Sequence, residues 1–514
     1  MRVLFVYPNV RGLYMLPPAV AILSAVLKEA GHECRLFDTT YWYVPEAGAD
    51  SEAHKEKHLH VKPYEKNPHE VTLKTSDVYE DFNRTVEEFQ PGLIAVSCTE
   101  DLFPFAIKLL RSLRDKHGAK TIIGGIFATF APEKCIRYPE IDMLCIGEGE
   151  TPLLELCKRM DEGKSYLFVP NLWVKQGGMV QKNPLGKTFD IEAVPLGDLD
   201  IFEDARFYRP FDGKIYKTFP VETHRGCPYR CAYCNSPMQM DLYKDGAGDN
   251  FFRLKSIANV RRELLYYKAR GAEYMYFWAD TFLALSDRYL QEFAEMYKSD
   301  VDLPFWCQTR PETLTDKRVQ LLKKMGCHRV GVGVEHGNPA FRERMLDRRV
   351  SNDVIIRGLR ILNEHGIKYS VNNIIGFPQE TRELAFDTIR LNRQIQADTR
   401  NMYTFTPFHG TALRDVAVKE GLIDPELIVT SLTQPTLLTM AQFPREEIEG
   451  MKRCFVPYVL LEEERWPEIQ KAEALTPEGD AVWEKLIEEC RARFFSQYET
   501  EREIDPQMEH SSLT

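Results

Sequence analysis

The chain has 514 residues, of which 44% are hydrophobic and 28% charged, and its formal net charge is −11 with a sequence pI near 5.7. This composition excludes a fibrous or a disordered protein, because such chains carry far fewer apolar side chains. The acidic balance excludes the broad positive field of a protein that mainly binds nucleic-acid backbone, so we do not expect a nucleic-acid partner. The length predicts two to four domains.

The N-terminal segment lacks a secretory pattern, because the apolar run at residues 3–7 ends at Pro8. The longest apolar stretch, residues 17–27, is shorter than the roughly 20 residues that span a bilayer. We therefore expect a cytoplasmic protein without a membrane span. The chain has twelve cysteines. In a cytoplasmic protein, cysteines are more often buried, catalytic or metal-bound than paired in disulfides.

The first part of the chain alternates short strands with helices. Strands are predicted at residues 3–7, 34–37, 93–97, 120–123 and 143–146, and helices at residues 18–30 and 105–117. This alternation predicts a parallel sheet with helices on both faces, in which ligands bind beyond the carboxyl ends of the strands. Residues 1–160 are therefore predicted to form one doubly wound, Rossmann-like α/β domain.

Residues 45–70 interrupt this pattern with many charged side chains. They include four histidines, His54, His58, His60 and His69. No regular ligand spacing accompanies these histidines, so a solvated insertion loop is favoured over a metal site. Residues 161–215 are predicted to be a linker with several Pro and Gly residues, and residues 172–180 within it to form a hairpin around Gly177 and Gly178.

A second alternating series follows the linker. Strands are predicted at residues 219–224, 274–278, 305–308, 329–335, 369–375 and 402–407, with helices at 256–270, 286–298, 316–325, 352–365 and 380–396. Six βα units predict a partial, TIM-like (β/α)6 barrel over residues 216–440, open on one side because eight units are needed to close the standard form. Residues 441–514 are predicted to be helical and to end in a frayed tail.

Three cysteines, Cys227, Cys231 and Cys234, lie in one loop directly after the first predicted barrel strand. Their spacing allows them to hold one iron–sulfur cluster from a single loop. Only three thiolates are offered, so one iron of a four-iron cluster would stay open to an exogenous chelator. The alternatives are three incidental cysteines or a structural zinc loop. A zinc loop would need a fourth ligand, and the next cysteine, Cys307, is far along the chain on a predicted strand.

This CxxxCxxC loop, with Tyr233 before its last cysteine, resembles the signature of the radical S-adenosylmethionine (radical SAM) superfamily. The resemblance implies a [4Fe-4S] cluster that binds S-adenosylmethionine and cleaves it reductively to a 5′-deoxyadenosyl radical or an equivalent. It also implies a reducing partner such as flavodoxin or ferredoxin. The S-adenosylmethionine contacts that it implies, over residues 216–410, are Tyr233, Asp280, Gln308, Arg310, Glu335, Ile375, Gly376 and Pro407.

Three of these residues have implied polar roles. Asp280 would lie near the amino group of S-adenosylmethionine, and Ala279 replaces the second acid that is frequent in the family. Arg310 would pair with the carboxylate, and Glu335 would accept from the ribose hydroxyls or from the ammonium group. Structural ion pairing at the barrel rim is the alternative role for both Arg310 and Glu335.

The ends of the fifth and sixth strands complete the resemblance. Gly376 would let the backbone approach the adenine base, and Ile375 would cover the face of the base. Asn372 stands where the family often has glycine. Pro407 belongs to a segment similar to the proline-glycine-threonine ending that is common in these proteins, although core packing explains the aliphatic residues there equally well.

A doubly wound domain in front of such a barrel looks like the cobalamin-binding module of one large subgroup. Small residues at its strand ends would let the backbone approach the nucleotide tail. The cobalamin contacts implied are Pro8, Asn9, Ser97, Thr99, Gly124, Gly125, Phe127, Glu148 and Gly149. The DxHxxG motif that supplies an axial histidine in many cobalamin proteins is absent, and the subgroup commonly binds the corrin without a protein imidazole. A scaffold without corrin is the alternative.

The resemblance implies a cobalamin-dependent radical SAM enzyme that abstracts hydrogen and transfers a methyl group to an unactivated carbon of a small-molecule or peptide substrate. The cobalt must then lie near that carbon, so the crevice of the first domain is expected to face the open end of the barrel. One alternative uses the same cofactors for oxidative cyclisation, ring contraction or rearrangement without methylation. Another is a non-catalytic iron–sulfur or corrin-binding regulator.

The substrate pocket and the catalytic side chains are not assigned by any motif. Aromatic residues at the strand ends are candidates for its lining: Tyr403, Phe405, Phe408, His409 and the patch at residues 278–282. Beyond Gly410 only Cys454 and Cys490 occur, too few for the auxiliary clusters that some family members carry. We therefore expect the substrate to meet the radical without them.

Overall fold

The structure is a computed structural model, and it describes residues 1–12, 15–44, 51–62, 69, 71–113, 118–431 and 434–495. Two seven-stranded sheets organise these residues, with a small two-stranded sheet beside the second. Among the described residues, none of the helices has both the length and the apolar content that crossing a bilayer requires.

The first sheet has the strand order β2-β1-β3-β4-β5-β6-β7. Its strands are β1 Arg2–Tyr7, β2 Glu33–Asp38, β3 Leu93–Ser97, β4 Lys120–Gly124, β5 Met143–Cys145, β6 Leu172–Gln176 and β7 Met179–Lys182. Strands β1 to β5 are parallel. The strand order reverses between β1 and β3, and at such a switch point the loops separate and leave a crevice at the carboxyl ends. The doubly wound architecture is confirmed.

Helices cover both faces of this sheet. They are α1 Pro18–Glu29, α2 Ser51–Lys57, α3 Val78–Phe89, α4 Phe103–Ser112, α5 Ile126–Phe130, α6 Pro132–Cys135 and α7 Glu150–Asp161. Because side chains alternate along a strand, Phe5 packs into one hydrophobic core and Leu4 into another. The end of the second helix predicted here, residues 114–117, lies outside the described residues.

The predicted hairpin forms, and it extends the first sheet. Strand β6 pairs antiparallel with β5, and β7 pairs antiparallel with β6. Gly177 and Gly178 both have positive φ values, +59° and +79°, as the tight connection between β6 and β7 requires. The sheet therefore continues beyond residue 160 into the segment predicted to be a linker, and the domain boundaries themselves remain predictions.

The second sheet has the order β16-β15-β14-β13-β12-β9-β8. Its strands are β8 Tyr208–Phe211, β9 Lys214–Val221, β12 Tyr274–Phe277, β13 Phe305–Thr309, β14 Cys327–Glu335, β15 Lys368–Ile375 and β16 Thr399–Thr404, and the small sheet pairs β10 His224–Arg225 with β11 Arg253–Leu254. Six of the seven strands are parallel, and β8 is an antiparallel edge. Strands β8 and β16 do not pair, which confirms the partial barrel.

Helices surround this sheet and continue beyond it. Those of the barrel are α8 Ser236–Ala247, α9 Ile257–Ala269, α10 Asp287–Met296, α11 Asp316–Met325, α12 Pro339–Leu346, α13 Asn352–Glu364, α14 Arg382–Arg393 and α15 Ala412–Lys419. The helical C-terminal region holds α16 Arg445–Arg453, α17 Phe455–Leu460, α18 Trp466–Ala472 and α19 Pro477–Phe494. The predicted frayed tail lies outside the described residues.

The insertion at residues 45–70 is not simply solvated, contrary to expectation. Its described part contains the short helix α2, and His60 and Lys62 are only 3% and 6% exposed. The Lys62 ammonium lies 2.8 Å from Asp212 in the β8–β9 turn and 3.9 Å from Asp398, just before β16. The insertion therefore bridges the two edges of the open barrel, and buried ion pairs replace the solvent contacts expected of a charged loop.

Candidate functional site

The cysteine loop lies between β10 and α8, just past the carboxyl end of the first parallel barrel strand. Gly226 begins it at φ +89°, and a Cβ there would come within 3.0 Å of the Phe251 ring. Cys227 and Cys231 are buried, Cys234 is half-buried, and burial raises the pKa of the Cys234 thiol to about 11. Among the described residues no group of His, Cys, Asp and Glu is arranged to hold a single metal ion.

Each of the three sulfurs has a polar neighbour. Cys231 Sγ accepts a hydrogen bond from Arg310 Nη1 at 2.8 Å, and Cys234 Sγ accepts one from the backbone N–H of Ser236 at 3.5 Å. Cys227 Sγ lies 3.6 Å from Thr281 Oγ1. Donors directed at sulfur favour the thiolate form that iron requires. The three cysteines and their neighbours therefore fit a cluster whose cysteine ligands come from one loop.

Arg310 is predicted to pair with the carboxylate of S-adenosylmethionine. In the structure it follows β13, contacts Cys231 and Glu312, and stacks its guanidinium 3.9 Å from the centre of the Tyr229 ring. It therefore lies beside the cysteine loop, as that role needs. Gln308, two residues earlier, donates from Nε2 to the carbonyl of Ala279 at 3.4 Å.

Glu335 ends β14 in a left-handed conformation, with φ +67°. Its Oε1 lies 3.0 Å from Arg348 Nη1, and the same guanidinium nitrogen donates to the Tyr233 hydroxyl at 3.2 Å. Burial raises the pKa of Glu335, and the Arg348 charge offsets part of that rise. Arg348 is only 1% exposed. Sequence reasoning missed Arg348, whose location after α12 carries no local signal of a role in the site.

Asp280 follows β12 and accepts a hydrogen bond from Ser236 Oγ at 2.6 Å. Burial raises the pKa of Asp280, and the Ser236 hydrogen bond offsets part of the rise. Because Ser236 also contacts Cys234, the structure brings Asp280 next to the cysteine loop. The predicted contact of Asp280 with the amino group of S-adenosylmethionine remains a prediction.

The glycine at the end of β15, Gly376, has a positive φ, a conformation that favours glycine. Gly376 has φ +84°, and its N–H donates to Glu380 Oε2 at 2.6 Å. The Ile375 side chain is 1% exposed and belongs to a core shared with the C-terminal helices. Pro407 is buried, and its carbonyl accepts from Arg414 Nη1 at 2.6 Å. The roles predicted for these residues at the adenine base remain predictions.

A cavity of about 480 Å³ lies between the first sheet and the cysteine loop. Five of the residues predicted to bind cobalamin line it: Ser97, Gly124, Gly125, Glu148 and Gly149. The barrel contributes Gly226, Ser236 and Asp280, among others. The other four predicted cobalamin residues, Pro8, Asn9, Thr99 and Phe127, are not part of this lining. One cavity therefore connects the crevice of the first domain to the site beside the cysteines.

The lining of this cavity fits a bulky ligand that carries amide groups. Gly125 has φ +109°, and a Cβ there would lie 2.6 Å from the carbonyl oxygen of Cys98, so the turn must stay glycine. Two buried atoms of the lining, His224 Nε2 and Trp278 Nε1, have no hydrogen-bond partner within the described chain. Buried polar atoms of this kind are normally satisfied, and the peripheral amides of a corrin would do so.

Buried charges join the two domains at the edge of the cavity. Arg225, two residues before Cys227, lies 2.7 Å from Glu150 and 3.1 Å from Glu222, and it also contacts Glu148. The backbone N–H of Glu148 donates to the Tyr243 hydroxyl of α8 at 2.7 Å. This network fixes the turn after β5 against the cysteine loop, and the sequence alone did not predict it.

A second contact between the domains involves His409, a candidate for the substrate pocket. Its backbone N–H and Nδ1 each lie 2.9 Å from the Glu100 carboxylate, and Glu100 also accepts from the N–H of Val429 at 3.0 Å. The imidazole also lies edge-on to Phe127, with the ring centres 5.3 Å apart. His409 and Phe127 therefore contribute to the contact between the domains.

Comparisons with known proteins agree with this arrangement. The family model described as B12 binding domain matches residues 6–157, and that described as Radical SAM superfamily matches residues 221–391. An uncharacterized methyltransferase of Pyrococcus horikoshii is 24% identical over 388 residues, which are 74% of this chain and 82% of that protein. The anaerobic magnesium-protoporphyrin IX monomethyl ester cyclase of Rubrivivax gelatinosus is also 24% identical, over 90% of this chain and 79% of the cyclase.

Two solved structures share the fold. The radical SAM methyltransferase TsrM from Kitasatospora setae, with tryptophan and a SAM analogue bound, has a TM-score of 0.60 and 18% identity, over 82% of this chain and 77% of TsrM. The cobalamin-dependent radical enzyme OxsB has a TM-score of 0.61 and 15% identity, over 96% of this chain and 71% of OxsB. With its two matched domains, this chain belongs to the cobalamin-binding radical SAM enzymes, whose cofactors are a [4Fe-4S] cluster, S-adenosylmethionine and cobalamin.

Proposed function

We propose that this enzyme is a C-methyltransferase that acts on an unactivated carbon of a small-molecule or peptide substrate. The observation that carries the proposal is the single cavity that extends from Gly124 and Gly149 of the first domain to Ser236 and Asp280 beside the cysteine loop. When bound, the cluster and S-adenosylmethionine supply a 5′-deoxyadenosyl radical, and cobalamin supplies the methyl group. Methyl transfer needs those two functions next to each other, and a shared cavity provides that proximity.

The residues of the chain would bind the cluster and S-adenosylmethionine and orient them. Cys227, Cys231 and Cys234 would hold the cluster and leave one iron for S-adenosylmethionine. Arg310 stands beside Cys231, where its guanidinium can pair with a carboxylate held at that iron. Arg348 holds Glu335 in its left-handed conformation, so that carboxylate is fixed before ligand binds. Charge-assisted pairs of this geometry position a ligand without reorganisation at the moment of reaction.

Arg225 would fix the first-domain part of the site relative to the barrel part. Its guanidinium contacts Glu148 and Glu150 of the first domain and Glu222 of the barrel. All three carboxylates also line the cavity. The distance between the corrin and the radical would therefore be set by buried ion pairs rather than by a flexible linker.

The proposal is tested with S-adenosylmethionine carrying a deuterated methyl group. Anaerobically reconstituted protein, given dithionite and cobalamin, should form deuterated methylcobalamin and S-adenosylhomocysteine, which requires no knowledge of the substrate. The Cys231→Ala variant should lose the visible absorption of the cluster and the formation of 5′-deoxyadenosine. Cys454→Ala is the matched control, because Cys454 is a buried core cysteine remote in sequence from the loop. A Cys231→Ala protein that keeps the absorption would contradict the ligand assignment.

A second candidate is oxidative cyclisation or rearrangement without methylation. The similarity to the Rubrivivax cyclase, at the same 24% identity as the Pyrococcus methyltransferase and over more of this chain, favours it. Formation of 5′-deoxyadenosine without any labelled methylcobalamin would support this candidate and overturn methyl transfer. Reconstituted protein that forms neither product would support a non-catalytic regulator.

A further inference from the structure

Several side chains that face the inside of the partial barrel are only half-buried. Along β15 the residues alternate between half-buried and buried, and β13 repeats the pattern. The buried set faces the helices, as shown by Asn373, which hydrogen-bonds to Asn392 of α14. The half-buried set, which includes Asn372 and Trp306, therefore faces the barrel interior. Interior positions of a filled barrel would be fully buried, so this one contains free space.

Two asparagines face each other inside this space. Asn372 of β15 and Asn401 of β16 are register partners, and Asn401 Nδ2 donates to Asn372 Oδ1 at 2.7 Å. Asn401 is only 9% exposed, and its Oδ1 has no partner within the described chain. The other amide nitrogen, Asn372 Nδ2, donates no hydrogen bond to a described residue. If both amides are flipped, the pair still offers one N–H donor and one carbonyl acceptor.

A neighbouring asparagine pair shows what a purely structural pair looks like here. On the opposite face of the same strand, Asn392 Nδ2 donates to Asn373 Oδ1 at 2.8 Å and to the Thr388 carbonyl at 2.9 Å. Asn373 Nδ2 in turn donates to Asn392 Oδ1 and to the carbonyl of Asn401. That pair uses the hydrogen-bonding groups of both its amides. The interior pair does not, and a buried acceptor without a donor is unfavourable unless a ligand supplies one.

Aromatic rings and the Glu335 carboxylate lie in the same interior as the pair. The next strand, β14, places Gly333 directly opposite Asn372, and a Cβ at Gly333 would collide with the Glu335 carboxylate, which therefore covers this glycine. A Cβ at Gly331 would lie 2.8 Å from the Trp306 ring, so that indole packs against the glycine. Trp306 also stacks on Tyr276, with the ring centres 4.4 Å apart and the planes within 5°. Tyr276 and β14 therefore pack against the Trp306 ring, and these rings form an apolar wall of the interior.

The pair is also close to the site where the radical would form. Gly333 precedes Glu335 by two residues on β14, a separation of about 7 Å along a strand. Glu335 contacts Arg348 and is one of the predicted S-adenosylmethionine contacts. A ligand edge held at Asn372 and Asn401 would therefore leave the rest of a small substrate within reach of the adenosyl group.

We propose that Asn372 and Asn401 form a substrate subsite that recognises a neutral carboxamide or lactam edge, with the attached group in the barrel interior. An amide edge offers one acceptor and one donor, which complements the donor and the acceptor that the pair leaves unused. A carboxylate would place an oxygen against the asparagine carbonyl, and a ketone would leave that carbonyl unpaired. The inference rests on the proposed function, since it takes the barrel interior to be the substrate side of the radical site.

The test compares three probes of one shape: 2-naphthamide, 2-naphthoate and 2-acetylnaphthalene. Their affinities are measured by calorimetry on the reconstituted protein, with cobalamin and S-adenosylhomocysteine bound to prevent turnover. The amide should bind about ten-fold or more tightly than the other two, because each of those leaves a polar group of the site unpaired. Equal affinities for the three probes would overturn the inference.

The Asn401→Asp variant should change which probe the subsite prefers. The new carboxylate would accept from the Asn372 amide, and the pair would then offer two acceptors instead of one donor and one acceptor. The variant should bind 2-naphthamide about ten-fold more weakly and should gain affinity for naphthalene-2-carboxamidine, a planar cation with donors only. Asn250→Asp is the control, because Asn250 is exposed and remote in sequence from the barrel strands, and it should leave all four affinities unchanged.

The amide subsite and the methyltransferase proposal can be refuted independently of each other. Cluster absorption and corrin content equal to those of the unaltered protein establish that the Asn401→Asp variant is folded. Unchanged probe selectivity in that folded variant overturns the amide subsite, whatever the labelling experiment gives. Loss of methyl transfer with the selectivity switch intact overturns the methyltransferase proposal alone.

Discussion

Replacement of Arg225 by methionine is expected to destabilise the folded protein by about 3–5 kcal/mol, the usual cost of removing one partner from a buried ion pair. Methionine is also a long, flexible side chain, but it leaves three carboxylates without the guanidinium between them. The side chains of Glu148, Glu150 and Glu222 are 9%, 6% and 2% exposed, so water cannot replace the lost charge. Arg253 still contacts Glu148, which places the expected cost toward the lower end of the range.

The loss should depend on pH in a direction that Glu222 sets. Burial raises the pKa of Glu222, but Arg225 and Lys255 outweigh burial and hold it below its ordinary value of 4.5. A lowered pKa in the folded state contributes stability above pH 4.5 that is lost as the pH falls through the folded-state value. Without Arg225, burial should prevail and raise the pKa of Glu222. The variant should therefore be weakest near pH 8 and recover part of the deficit near pH 5.5, where the carboxyl can take up a proton.

Urea unfolding followed by tryptophan fluorescence, at pH 8 and pH 5.5, measures both effects. Arg288→Met is the control, because Arg288 forms an exposed pair with Glu292 whose loss should leave the urea midpoint nearly unchanged. If Arg225→Met unfolds at the same urea concentration as Arg288→Met at both pH values, the buried network does not stabilise the contact between the domains. A deficit that grows as the pH falls would refute the role given to the carboxylates.

Two further substitutions test the cavity and the insertion. Gly125→Ala should cost about 2–4 kcal/mol and lower the affinity for cobalamin in equilibrium dialysis, because the new Cβ meets the Cys98 carbonyl at positive φ, whereas a Cβ at Gly124 has room and Gly124→Ala should not lower the stability. Equal stability of the two variants would contradict the strain argument. Lys62→Met should cost about 1–3 kcal/mol in thermal unfolding at pH 7, because it removes one of the cations paired with the Asp212 carboxylate, whose side chain is 7% exposed and which keeps its contacts with Arg329 and Lys368. No change would mean that the insertion is only a surface loop.

The elements of both sheets follow from the sequence because their signals are local. Parallel strands buried on both faces appear as short apolar runs, and the turn after β4 needs glycine at Gly125, where a Cβ would meet the Cys98 carbonyl. The cysteine spacing is equally local, since all three ligands lie within eight residues. Gly376 is a similar case, because its positive φ requires glycine whatever the ligand is.

The contacts that assemble the site are not local, and the sequence did not predict them. Arg348 reaches Glu335 from a loop beyond α12, and Arg225 reaches Glu150 across 75 residues. The burial of Lys62 depends on Asp212, which is 150 residues away. A charged residue has the same local appearance whether it is solvated or paired in the interior, so the sequence predicts a solvated insertion. Side chains alternate between the two faces of β15, and this alternation places Ile375 in the core shared with the C-terminal helices. A motif match in the sequence does not specify which face a side chain is on.

Because the two domains share one cavity, substitutions at the contact between them should act differently from substitutions of the cofactor ligands. The part of the cavity lining that the first domain contributes is mostly apolar and includes four glycines, whereas the part that the barrel contributes is mostly polar or charged. Arg225 and Glu148 connect these two sets without belonging to the cysteine ligands. Substitutions in this ion network should therefore alter the distance between corrin and radical while each cofactor still binds its own domain. Uncoupled formation of 5′-deoxyadenosine, rather than loss of either cofactor, is the signature that this arrangement predicts.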